Sequence, residues 1–143
     1  MARTMAETMP DLDHLLRGRT PPGYIAIEGP IGVGKTTLAR RLAETFNYEV
    51  MLEQPEANPF LERFYANRQQ AALATQLSFL FQRAQAIQDW RQRDIFTPVR
   101  VADFLIEKDP LFARVNLDAD EYALYENVYR QLTIDAPAPD LVI

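Results

Sequence analysis

Residues 24–46 read YIAIEGPIGVGKTTLARRLAETF, and the character of this stretch changes twice along its length. Tyr24, Ile25, Ala26, Ile27 and Glu28 form a short, mostly apolar run after the breaker Pro21, Pro22 and Gly23. That is the pattern of a buried parallel strand. Gly29, Pro30, Ile31, Gly32, Val33, Gly34, Lys35 and Thr36 then fill every defined position of the phosphate-binding pattern G-x-x-x-x-G-K-[ST]. From Lys35 the period becomes helical, with Leu38, Leu42 and Phe46 on one side and arginine and glutamate on the other. Strand, glycine loop and amphipathic helix in this order predict an α/β fold that grips a nucleoside triphosphate at the helix start.

Each residue type in the loop has a chemical reason. Glycines let successive main-chain N–H groups turn inward onto an anion, and the helix dipole adds positive potential there. Gly29, Ile31, Gly32, Val33 and Gly34 are the expected phosphate-cradling positions. Lys35 is expected to reach the β- and γ-phosphates, Thr36 to bind Mg²⁺ through its hydroxyl, and Thr37 to face the α-phosphate. Lys35 is one of only two lysines in a chain that otherwise uses arginine.

Composition narrows the alternatives. The 143 residues carry a net charge of −5, which argues against polymeric nucleic acid as a partner. There is no cysteine, so disulfides, thiolate metal sites and a cysteine nucleophile are excluded. The one histidine, His14, lies in a polar N-terminal stretch and is weak support for a histidine-based site. No apolar run approaches the ~20 residues of a membrane-spanning helix. Residues 1–23 lack the continuous apolar segment of a secretory signal and read as a flexible extension, so the expected location is cytoplasmic.

Beyond the loop, residues 48–52 (YEVML) suggest a second strand, and 58–67 a short helix opened by Asn58 and Pro59. A long helix is expected over 69–93, with Leu73, Leu77, Leu80, Phe81, Ala84 and Ile87 as its apolar stripe. Pro98 breaks the chain before a third strand at 99–103, which ends in Asp103. Residues 104–114 read as helix or irregular turn around Pro110, residues 118–132 as helix, and 140–143 as the start of a fourth strand. A buried strand starting so near residue 143 suggests a C-terminally incomplete domain.

Glu53 follows the second strand directly, at the edge where open parallel sheets bind ligands. A carboxylate there suits a general base for a hydroxyl that attacks phosphorus. A strand-end glutamate exposed to water would satisfy the same position.

From Tyr24 onward the chain resembles the deoxynucleoside kinase family, most closely its bacterial deoxyadenosine/deoxyguanosine branch. The resemblance rests on IEGPIGVGKTTLA, on Glu53 with Asn58, Pro59, Phe60 and Leu61, and on Phe64 and Tyr65. It continues through TQLSFLFQR, VADFLIEKDPLFA, EYALYENVYRQL and PDLVI. It implies a three-layer phosphate-loop kinase fold over 24–143, ATP as donor, Mg²⁺, a deoxynucleoside acceptor and a homodimer formed through helices. It also implies that Glu53 is the base on the sugar 5′-hydroxyl, that Tyr65 binds the 3′-hydroxyl, and that Gln76 pairs with the nucleobase. Arg83 is implied to lie near the base and the reaction centre. On their own, Tyr65 reads first as a core aromatic with its hydroxyl at the surface and Gln76 as a polar position on a long helix.

Two departures stand out. Many relatives carry Asp/Glu-Arg-Ser after the third strand, whereas Ala102, Asp103 and Phe104 stand here. Asp103 is the expected water-mediated Mg²⁺ ligand, with a structural salt bridge as the alternative. The family's arginine-rich lid and donor-adenine loop are not found in these residues. A nucleoside monophosphate kinase of the thymidylate kinase type, drawing on Arg63, Arg68 and Arg83, and a non-catalytic nucleotide-binding fragment are the rival readings.

Overall fold

The computed structural model describes residues 23–30, 32–92 and 99–143. The extension at 1–22, His14, Ile31, Arg93 and Pro98 therefore lie outside the described residues. The chain divides into two compact units: a sheet unit built from residues up to 52, 96–104 and 138–143, and a helical unit built from 53–95 and 105–137.

The sheet unit holds four parallel strands, β1 (Tyr24–Ala26), β2 (Glu49–Met51), β3 (Arg100–Ala102) and β4 (Leu141–Val142), in the order β2-β3-β1-β4. Ile25 pairs with Val101 on one side and with Leu141 on the other, while Val50 pairs with Val101. Regular pairing covers three residues or fewer per strand, shorter than the apolar runs suggested. Hydrogen bonds continue past the strand ends, from Ile27 N–H to Ala102 (2.8 Å), Glu28 N–H to Ile143 (2.9 Å) and Ile143 N–H to Ala26 (2.9 Å). The Asp140 carboxylate accepts the main-chain N–H groups of Gly23 (2.8 Å) and Tyr24 (2.9 Å), which anchors the start of β1.

Helix α1 (Lys35–Phe46) has the bounds that the periodicity predicts. Its buried face differs. Ala39 and Ala43, one turn apart, are the buried residues, whereas Leu38 is exposed. Two methyl side chains let the helix backbone approach the sheet closely, which a leucine there would prevent. Ala39 joins Ile25, Ile27 and Val101 in the core, and Leu42, Tyr48, Leu52 and Val99 pack around it. Arg100 is buried within β3 and pairs with Glu49 at 2.7 Å.

The helical unit begins with a 3-10 turn, Pro55–Ala57, and a short helix α2 (Leu61–Ala66). The expected helix at 58–67 thus starts later, because Asn58 folds into a turn. Its Oδ1 accepts the Phe60 N–H (3.0 Å) and its amide donates to the Thr75 carbonyl (3.1 Å). Thr75 in turn donates its hydroxyl to the Phe60 carbonyl (3.2 Å). These bonds latch α2 to the long helix α3 (Arg68–Gln92). The stripe on α3 is only partly as expected: Leu80 and Ile87 are buried, but Phe81 is half exposed and the polar Thr75 and Gln76 are buried instead.

A second 3-10 turn, Ile106–Lys108, leads into α4 (Asp109–Asn116) and then α5 (Ala119–Thr133). Asp118 caps α5 reciprocally with Glu121, as a capping box. Among the described residues no helix is long and apolar enough to cross a membrane.

Candidate active site

In the sheet unit the glycine loop leaves β1 and enters α1, with Gly32, Val33 and Gly34 exposed. Gly32 and Gly34 have φ of 79° and 99°, a region where a side chain is strained, and Gly34 caps α1. A Cβ on either would meet nothing within 4 Å, so it is backbone conformation rather than crowding that demands glycine. At Gly29 the limit is contact, because a Cβ would lie 3.1 Å from the Val33 side chain. Lys35 opens the helix, half-buried, and Thr37 is exposed one residue after Thr36.

The Thr36 hydroxyl donates to the Asp103 carboxylate at 2.7 Å. Asp103 lies just past the end of β3, is only 4 % exposed, and donates its own N–H to the Met51 carbonyl (3.1 Å). The two residues singled out for a divalent cation are therefore in contact. Together they offer a hydroxyl and a carboxylate oxygen, the hard donors Mg²⁺ prefers.

In the helical unit, Glu53 is held by the guanidinium of Arg83 from α3. Arg83 Nε donates to Glu53 Oε1 at 2.7 Å and Nη2 lies 2.5 Å from the same oxygen. Arg83 Nη1 also donates to Asp109, the first residue of α4, and Asp109 accepts a second bond from the Tyr125 hydroxyl of α5. The Asp109 side chain is fully buried, and Phe79 lies beneath the guanidinium at 5.1 Å. Burial alone lowers the pKa of Arg83, but the charges and hydrogen bonds of Glu53 and Asp109 outweigh it and hold it above its ordinary value. Burial raises Asp109 above the usual carboxylate range despite the opposing pull of Arg83 and Tyr125. Burial, then the bond to Asp109, pushes the Tyr125 hydroxyl well up.

Gln76 sits on α3 seven residues before Arg83 and is 7 % exposed, with its Nε2 unpartnered among the described residues. A buried amide donor without a partner is costly in a resting fold. Tyr65 on α2 is 71 % exposed, stacked obliquely on Phe64 with ring centroids 6.0 Å apart.

The sequence reading thus placed Thr36 with Asp103 and Glu53 with Arg83 among candidate residues, and each pair is in contact. It missed Asp109 and Tyr125. The available signal was the Asp109–Pro110 helix start and the tyrosine spacing 122, 125, 129, which reads as a plain apolar stripe.

The family model for deoxynucleoside kinases matches residues 25–143. A deoxyguanosine kinase of Bacillus subtilis (strain 168) is 37% identical over 122 residues, spanning 84% of this chain and 58% of its own length. A deoxyadenosine/deoxycytidine kinase of the same organism is 30% identical over 129 residues, 83% of this chain and 57% of the relative. A solved structure of the deoxyadenosine kinase from M. mycoides, with products dCMP and a flexible dCDP bound, is similar with a TM-score of 0.70 at 25% identity. It covers 83% of this chain and 62% of that one. The chain spans somewhat over half the length of the curated relatives it matches. With the phosphate loop, the parallel sheet and this agreement over most of its residues, the chain belongs to the deoxynucleoside kinase family.

Proposed function

We propose that this protein is an ATP-dependent deoxynucleoside kinase, moving the γ-phosphoryl group to the 5′-hydroxyl of a purine deoxynucleoside. Residues 24–143 are its kinase domain and residues 1–23 an extension. The observation that carries the reading is the bond between Thr36 and Asp103 beside a glycine loop that holds Gly32 and Gly34 at positive φ.

Gly29, Ile31, Gly32, Val33 and Gly34 supply main-chain N–H groups to the β- and γ-phosphates, Lys35 a cation, and Thr37 a hydroxyl to the α-phosphate. Thr36 and Asp103 hold Mg²⁺. When bound, the cation neutralises charge on the phosphates. Glu53 accepts the proton of the 5′-hydroxyl as the new O–P bond forms, and the bond to the bridging oxygen breaks to release ADP.

Gln76 presents an amide with both donor and acceptor atoms to a purine edge, and its unpartnered buried Nε2 supports this. Tyr65 receives the sugar 3′-hydroxyl. The B. subtilis relative named for deoxyguanosine supports a purine acceptor. Against a monophosphate kinase, Arg83 is already committed to two carboxylates, and Arg63 and Arg68 lie over the rings of Phe60 and Phe64. A homodimer formed through the helices at 69–93 and 118–132, a cytoplasmic location and no polymeric nucleic acid partner complete the proposal.

A phosphoryl-transfer assay over the four deoxynucleosides and their monophosphates tests it. The expected result is a deoxynucleoside monophosphate formed from deoxyadenosine or deoxyguanosine, and its loss in Glu53→Gln. Transfer to monophosphates only would favour the rival kinase. ATP binding with no product from any acceptor would favour a non-catalytic protein.

A further inference from the structure

The four side chains Glu53, Arg83, Asp109 and Tyr125 come from the segment before the first 3-10 turn and from α3, α4 and α5 of the helical unit, and form one continuous chain of hydrogen bonds. Arg83 lies in its middle, between two carboxylates. A guanidinium that served Glu53 alone would stabilise its charged form and weaken it as a proton acceptor. Asp109 divides that cation, since Nη1 points at Asp109 while Nε and Nη2 point at Glu53.

Asp109 can do so only while ionised, yet its side chain is fully buried, an environment that favours the neutral acid. The Tyr125 hydroxyl is the second donor that offsets this burial. Its direction is fixed by packing, because the Tyr125 ring is stacked between Tyr122 (6.0 Å) and Tyr129 (6.2 Å) along α5 and is itself buried. The charged and titratable groups around the network are Arg83 from α3, Glu107 from the preceding 3-10 turn, and Tyr122 and Tyr129 from α5. Glu107 and Asp109 both act on Tyr129.

We propose that Tyr125 is a positioning residue of the phosphoryl transfer: its hydroxyl holds buried Asp109 as an oriented carboxylate, which shares Arg83 with Glu53 and leaves Glu53 able to take the proton. This rests on the general-base reading of Glu53. Tyr125 touches neither substrate nor reacting atoms and acts through Asp109 and Arg83.

The test compares Tyr125→Phe, Asp109→Asn and the double variant with the unsubstituted chain. It uses carboxyl carbon-13 titration and the pH dependence of kcat, with thermal unfolding as the check on folding. Removing the hydroxyl raises the Asp109 carboxyl step by about one pH unit, and the acid limb of kcat moves up with it. In the Asp109→Asn background the same substitution leaves the acid limb where it is. An unmoved acid limb in a folded Tyr125→Phe protein would overturn the proposal, as would a shift that persists without Asp109. If Tyr125→Phe does not fold, Asp109→Asn still decides, because loss of the shared carboxylate must lower kcat while KM for the deoxynucleoside changes less. Full turnover by Glu53→Gln is a separate result: it overturns the general-base reading and, with it, any catalytic role for Tyr125, whatever the carboxyl titration gives.

Discussion

The glycine loop and the Arg83 network solve the problem of holding charge in opposite ways. The loop uses main-chain groups from consecutive residues, stays exposed, and owes its shape to two glycines at positive φ. The network uses side chains from three helices and one connecting segment, is largely buried, and owes its shape to mutual hydrogen bonds. A cradle of the first kind, Lys35 apart, tolerates side-chain change but not an added Cβ at Gly32 or Gly34. A network of the second kind tolerates shape-preserving change but not the loss of one charge.

The contrast is open to direct attack. Replacing Arg83 with methionine leaves Asp109 as an unpaired buried charge, and a loss of about 3–5 kcal/mol in urea-unfolding stability is expected. A loss under 1 kcal/mol would mean that the network is not a unit. Lys35→Met removes the one side-chain cation of the cradle and should lower kcat on the order of a hundred- to a thousandfold, with the unfolding midpoint unchanged. Gly34→Ala should cost about 1–2 kcal/mol, from a side chain forced into the left-handed region, and abolish the rise in Tm that ATP gives. Thr37→Ala, a side-chain change in the first turn of α1, should leave that rise mostly in place. Asp118→Ala, which removes the α5 cap, should lower stability by only about 1 kcal/mol and spare turnover.

The network also has a pH signature. Burial holds Asp109 above its ordinary value, so its contribution to stability is fully present below about pH 4 and is lost as pH rises through the raised folded value. Asp109→Asn should flatten that part of the stability curve measured by thermal unfolding. An unchanged slope would place its origin in another group.

The same contrast explains what was legible beforehand. The loop and α1 are contiguous, so glycine spacing and helical period predict the bounds Lys35–Phe46 without reference to the rest of the chain. Which face of α1 is buried was less legible: Leu38 scores as apolar, but closeness to the sheet selects Ala39 and Ala43. Strand lengths came out short because pairing depends on the neighbouring strands, which are distant in sequence. Asp109 and Tyr125 were invisible for a related reason. Only tertiary packing buries that carboxylate, and in the sequence Tyr125 is indistinguishable from Tyr122 and Tyr129 on the same helix. Gln76 was singled out by resemblance alone, and its unpartnered amide is a fact no periodicity reveals.

The Asp140 carboxylate and the main-chain amides of Gly23 and Tyr24 are 117 and 116 residues apart. Since β1 is an interior strand, flanked by β3 and β4, one of its edges stays bare during synthesis until residues 140–143 have left the ribosome. The phosphate loop hangs from that strand, so a nascent chain acquires its nucleotide grip late. Until then a parallel edge is available to a neighbouring nascent chain, and crowded translation is where this protein is most exposed to aggregation.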